Sequence, residues 1–252
     1  MSQPLRFAKL SSTSRLRYSE LSRQPLYILV FLLPLIIFYE VALYSSNSHI
    51  QIKAHDHLVK FFELFDMPPT QGLWLGGIVI ITILFIWHVF VGSKWKIKIH
   101  VIAFMAVESI LYALPLLFFG AVLGGYCAVA IASPIDTLGI FEKIAVSIGA
   151  GLYEELIFRM IVIGCVHTVV CNMFKGSNLA GLGIGVFVSA VLFALYHDLP
   201  NAESLSAIIP FFFFTAGVYL GFIYVIRGFG IAAATHAAYD VVATTLLVSL
   251  AQ

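Results

Sequence analysis

Glu154 and Glu155 are neighbours, and Arg159 follows four residues after Glu155, all inside an apolar run from about 144 to 170. Charge at membrane depth is costly, so ionisable side chains in such a run mark a functional site by default. Adjacent residues on a helix point about 100° apart, so the two carboxylates cannot serve one task in the same way. Glu155 and Arg159 share a helical face and can pair along it. A buried ion pair holding helices together would account for those two. It would not account for Glu154, and a spare carboxyl among apolar groups is suited to act as a general base.

Such a base needs a partner, and imidazole combines proton transfer near neutral pH with an uncharged form. Of the eight histidines, His49, His55 and His57 lie in a polar stretch, and His88 and His100 sit near the ends of apolar runs. His167 is thirteen residues beyond Glu154, about 20 Å along a helix. His197 and His236 remain. His197 closes an apolar run that contains Phe193, and His236 lies inside the last apolar run with Asp240 four residues on. An interhelical hydrogen bond is the plain alternative for either histidine; an acid on the same face as His236 favours chemistry there. Between them, Phe214, Gly217 and Gly221 carry a small-xxx-small spacing, which brings helix backbones close together.

The elements that must hold these groups are membrane helices. The chain of 252 residues is 61% hydrophobic and 11% charged, with mean hydropathy +1.00, whereas a soluble domain is about 25% charged. The apolar runs are helix-length, not the short alternating segments of a barrel. The expected fold is all-α: a polytopic transmembrane helix bundle of seven spans, or eight if 101–133 divides at Pro115 or the Gly120/Gly124/Gly125 cluster. Residues 1–25 form a basic tail, with Arg6, Lys9, Arg15, Arg17 and Arg23 against Glu20, expected on the cytoplasmic side. Residues 26–133 form N-terminal membrane helices, with Glu40 near the end of the first and an interfacial helix expected near 57–66. Residues 134–252 hold the candidate site among four C-terminal helices. Lys94, Lys96, Lys98, Lys175 and Arg227 fall on one side only in the seven-span arrangement. The net charge of +1 implies no nucleic-acid partner. Cys127, Cys165 and Cys171 match no metal or disulfide framework and read as small packing residues.

Taken together, these motifs resemble the CPBP family of intramembrane proteases: the type II CAAX prenyl endopeptidases and their bacterial Abi-type relatives. Glu154-Glu155-x-x-x-Arg159 resembles the first motif and Phe193-x-x-x-His197 the second. Phe214-x-x-Gly217-x-x-x-Gly221 is similar to the glycine-bearing helix, and His236-x-x-x-Asp240 to the last motif. The order is the family's, over about 140–250. The resemblance implies a glutamate-dependent endopeptidase without metal or other cofactor, in a bacterial cytoplasmic membrane. Glu154 would be the general base, His197 would help it activate a water, His236 and residue 240 would support the oxyanion, and Glu155 and Arg159 would orient the site. The prenyl-protein proteases have Asn where this chain has Asp240. An ionised Asp240 cannot donate to an oxyanion, so its expected role is to hold His236 in the donating tautomer.

The implied partners are the lipid bilayer and a membrane-associated protein or peptide substrate; the oligomeric state is not implied. Three other readings compete. A zinc-dependent version of the protease would use Glu, His, His and Asp as ligands, although HExxH is missing. A non-enzymatic scaffold or immunity protein would use the same fold for binding. A transporter would relay protons through the buried groups, but the chain has no twin halves.

Overall fold

The computed structural model describes residues 17–45, 69–123, 138–197 and 207–247. The expected interfacial helix near 57–66, residues 124–133 and most of the basic tail lie outside these. Among the described residues every regular element is helical. A short turn, α1 (Tyr18–Leu21), precedes α2 (Pro25–Ser45), α3 (Pro69–Val91) and α4 (Ile99–Val122). The long α5 (Ile140–Met173) follows, then α6 (Asn178–Tyr196) and α7 (Ile208–Arg227). The last helix, α8 (Phe229–Val242), continues as a π-helical turn over Ala243–Leu247.

Among the described residues, five helices are long and apolar enough to cross a membrane: α2, α4, α5, α6 and α7. Their outward faces carry large apolar side chains such as Phe104, Ile110, Leu114 and Phe118 on α4, a surface suited to lipid. Within α3, Gly76–Val91 is a shorter apolar helix. α8 places Thr235, His236 and Asp240 inside its run and is not among the five. Pro34 and Pro115 sit inside α2 and α4 without ending them. The run expected over 101–133 is one helix as far as Val122.

The main core includes Leu32, Ile36 and Tyr39 of α2, Leu84 of α3, Met105 of α4, Leu152 and Tyr153 of α5, Ile223 of α7, and Ala232 and Ala233 of α8. A second cluster joins Leu116 of α4 with Phe158, Phe193, Phe212, Leu220 and Tyr239. α5 and α8 contribute to both clusters, so the helices that carry the acids and the last histidine are held from two sides. The turn between α7 and α8 needs Gly228, whose φ of 91° few other residues adopt.

One end of the bundle is tied by polar groups. Arg227, the last residue of α7, pairs with Glu108 through Nε at 2.5 Å and Nη2 at 2.8 Å, and Nη2 donates to Ser22 Oγ at 3.1 Å. Tyr18 donates its hydroxyl to the same carboxylate. Burial, and then the hydrogen bond to Glu108, push the Tyr18 phenol well above its ordinary value, so it stays a donor. Arg23 donates to the Val225 carbonyl at 2.9 Å, and the Lys98 amide donates to Tyr27 Oη at 3.2 Å. These bonds put the start of α2, the start of α4 and the end of α7 on one side. Arg23, Lys98 and Arg227 thus gather at one end of the bundle.

Candidate active site

The site begins with a glycine. A Cβ on Gly151 would lie 2.6 Å from the Ala237 amide nitrogen and 2.7 Å from the Ala233 carbonyl oxygen. With no side chain there, α5 and α8 approach backbone to backbone. One turn further along α5, that approach brings His236 against Glu155, with Nδ1 2.8 Å from Oε1. The same oxygen lies 2.8 Å from Arg159 Nη1, and neither the Glu155 nor the Arg159 side chain has any exposed surface. The guanidinium sits 4.3 Å over the Phe193 ring, and its Nη2 donates to the Gly217 carbonyl at 3.4 Å. Gly217 brings that carbonyl inward: a Cβ there would stand 2.9 Å from Ala190 Cα of α6. Gly221, one turn on, packs against the Val186 side chain, where a Cβ would lie 3.0 Å from Cγ1.

Regular α-helix ends at Glu155, and the next turns of α5, Leu156–Ile163, are π-helical. Such widened turns are frequent at functional sites. One carbonyl in this turn, that of Phe158, accepts from Ser189 Oγ of α6 at 2.7 Å, inside the protein.

Glu154 leaves α5 about 100° from Tyr153 and is 6% exposed. Its Oε2 lies 3.8 Å from His197 Nε2 and 4.0 Å from His236 Nε2. That oxygen makes no direct hydrogen bond among the described residues. His236 Nε2 also stands 3.4 Å from Asp240 Oδ2. His197 follows the last residue of α6, and its Nδ1 is 2.8 Å from the Phe193 carbonyl oxygen. A carbonyl only accepts, so Nδ1 carries the hydrogen and Nε2 of the neutral ring presents a lone pair toward Glu154. The imidazole lies flat on Phe213 of α7, with centroids 3.8 Å apart and planes at 17°.

All four groups expected to do chemistry, Glu154, His197, His236 and Asp240, therefore meet at one place, with Glu155 and Arg159 behind them. One role changes. The carboxylate on the far nitrogen of His236 is Glu155, not Asp240, because the backbone contact at Gly151 seats Nδ1 on the α5 side. Asp240 instead faces Nε2, the nitrogen turned toward Glu154. Phe193 does more than pack: its ring supports Arg159 and stands edge-on to His197 and His236. Phe214 packs on Phe187, 5.9 Å between centroids, rather than on the site. The sequence gives no sign that Phe213 is the ring on His197, because residues 211–214 are all Phe. Among the described residues, no group of three or more His, Cys, Asp or Glu side chains has an arrangement that could hold a metal ion.

Residues 137–242 match the family model of the type II CAAX prenyl endopeptidase Rce1-like proteins. No curated protein and no solved structure matches the chain. The matched family is one of membrane proteases, and the five long apolar helices agree with an integral, multi-pass membrane protein. Over 137–242, the segment that carries Glu154, Glu155, Arg159, His197, His236 and Asp240, the chain is similar to the Rce1-like type II CAAX prenyl endopeptidases.

Proposed function

We propose that the protein is a glutamate-dependent intramembrane endopeptidase that hydrolyses a peptide bond in a membrane-associated protein or peptide. The observation that carries this is the convergence of Glu154 Oε2 on His197 Nε2 at 3.8 Å and His236 Nε2 at 4.0 Å. Those spacings are too long for direct hydrogen bonds and suit a bridging water. A water donating one hydrogen to Glu154 and the other to the lone pair on His197 Nε2 turns its own lone pair toward a substrate carbonyl. As its oxygen bonds to the carbonyl carbon, its proton passes to Glu154. The oxyanion is met by His236 through Nε2–H: Glu155 accepts the Nδ1 hydrogen, so the ring donates from both nitrogens as an imidazolium, balanced by Glu155 and Asp240. Glu154 then delivers the proton to the departing amine as the C–N bond breaks. The products are a carboxylic acid and an amine, with one water consumed.

In this reading no metal or other cofactor takes part. Asp240 supports the Nε2 side of His236, and a prenylated substrate is not required. The bundle crosses the membrane seven times with the N-terminus in the cytoplasm, which places Arg23, Lys98, Lys175 and Arg227 on the cytoplasmic side.

The test is cleavage of a membrane-tethered reporter by protein purified in lipid nanodiscs. Glu154→Gln and His197→Ala should each abolish cleavage while the protein unfolds at its normal temperature, and exhaustive chelation should leave the wild type fully active. Full cleavage by either folded variant sinks the mechanism. Activity lost to chelator and restored by zinc transfers the chemistry to a zinc-dependent version of the same site.

A further inference from the structure

Glu40 lies near the end of α2, outside the segment that matches the family, and the mechanism above does not use it. Its Oε1 accepts from the Tyr153 hydroxyl of α5 at 2.9 Å and from the Gly77 amide of α3 at 2.9 Å. α3 is bare at this point. A Cβ on Gly76 would lie 2.6 Å from Tyr153 Oη, and one on Gly77 would lie 2.7 Å from Glu40 Oε1. The Tyr153 ring has no exposed surface and rests against Tyr39, with centroids 5.3 Å apart. Three helices therefore join at one carboxylate oxygen, and one of them is held by the residue directly before Glu154.

We propose that Glu40 is a positioning residue for Glu154, acting through the Tyr153 hydroxyl. Tyr153 and Glu154 leave α5 about 100° apart. Fixing the first sets the rotation of the helix about its axis, and so the direction of the second. The turn just beyond Glu155 is π-helical, a register that a further small rotation can extend or shorten. The hydrogen bond to Glu40 lies on the regular side of that boundary and holds it in place. The N-terminal helices are thereby part of the catalytic device rather than a lipid-facing addition. This inference rests on the reading of Glu154 as the general base.

The experiment measures kcat and KM for reporter cleavage in nanodiscs, with thermal unfolding as a control. Tyr153→Phe removes only the hydroxyl, and Glu40→Gln keeps an oxygen that can accept from both donors. Tyr153→Phe and Glu40→Leu should each lower kcat about tenfold with KM within about twofold, the size expected for a lost hydrogen bond that orients a reacting group. Glu40→Gln should keep kcat within about threefold. The double variant Glu40→Leu/Tyr153→Phe should be no slower than the slower single variant, because both act through one hydrogen bond. Wild-type kcat in Tyr153→Phe, losses that multiply in the double variant, or a change confined to KM or unfolding temperature would overturn the proposal. Glu154→Gln is run alongside. Cleavage surviving in it overturns the reading of the site and this inference together. Its loss, with wild-type kcat in Tyr153→Phe, overturns this inference alone.

Discussion

The Glu155–Arg159 pair permits a test that separates holding the fold from holding the site. Both side chains are fully buried and 2.8 Å apart. In Glu155→Leu the guanidinium loses its paired carboxylate and keeps the Phe193 ring, a 3.4 Å contact to the Gly217 carbonyl and the weaker field of Glu154. Breaking a buried pair from one side costs about 3–5 kcal/mol, most of it from the charge left uncompensated. At about 1.4 kcal/mol per tenfold, the folded-to-unfolded ratio should fall by a factor of 10² or more. In Arg159→Leu, Glu155 still has His236 at 2.8 Å, so the loss should be smaller than in Glu155→Leu. In Glu155→Leu/Arg159→Leu neither charge remains, and replacing a buried pair by apolar side chains is often neutral. The double variant should therefore regain most of the lost stability. It should not regain activity, because His236 Nδ1 has lost its acceptor. A ring free to turn away by about 1 Å costs on the order of 10²-fold in rate. Reversible unfolding in bicelles gives the stability, and reporter cleavage gives kcat. A double variant as unstable as Glu155→Leu would show that the pair is not mutually compensating. Wild-type kcat in the double variant would show that Glu155 does not hold His236.

Two further substitutions probe how the helices set the site. Gly151→Ala puts a Cβ 2.6 Å from a backbone nitrogen of α8; restoring ordinary contact separates the helices by about 0.8 Å, costs about 1–3 kcal/mol of stability and should reduce kcat on the order of 10²-fold, while an unchanged kcat would rule out the close α5–α8 approach as the device that seats His236. Phe213→Leu removes the ring stacked on His197 at 3.8 Å and should cost about 1 kcal/mol, seen as a severalfold loss of kcat with little change in KM; if KM rises instead, Phe213 contacts substrate rather than steadying the imidazole.

Much of the site can be read from the sequence, because its residues violate the composition around them. Glu154, Glu155, Arg159, His236 and Asp240 are polar groups in apolar runs, and helical spacing alone pairs Glu155 with Arg159. The distance from Glu154 to His197 and His236 is not readable this way. It depends on two backbone contacts, at Gly151 and Gly217, and a glycine in an apolar run does not announce which helix it admits. Phe213 is hidden for another reason: four consecutive phenylalanines offer four directions, and only the docked helix selects one. The same holds for Glu40, whose partners Tyr153 and Gly77 lie on two other helices, far away in the chain.

The amino-acid order by itself determined that this is a bundle of membrane helices, and it marked the side chains that membrane burial makes too costly to be there without a use. Hydropathy and the helical repeat are local quantities, and they suffice for both. Tertiary structure decided which carboxylate holds which nitrogen. His236 lies four residues before Asp240 and eighty-one after Glu155, yet Glu155 takes its Nδ1 at 2.8 Å while Asp240 stands 3.4 Å from Nε2. The spacing along one helix brings groups within reach; the close packing of α5 on α8 chooses between them, because it fixes which edge of the imidazole faces each acid.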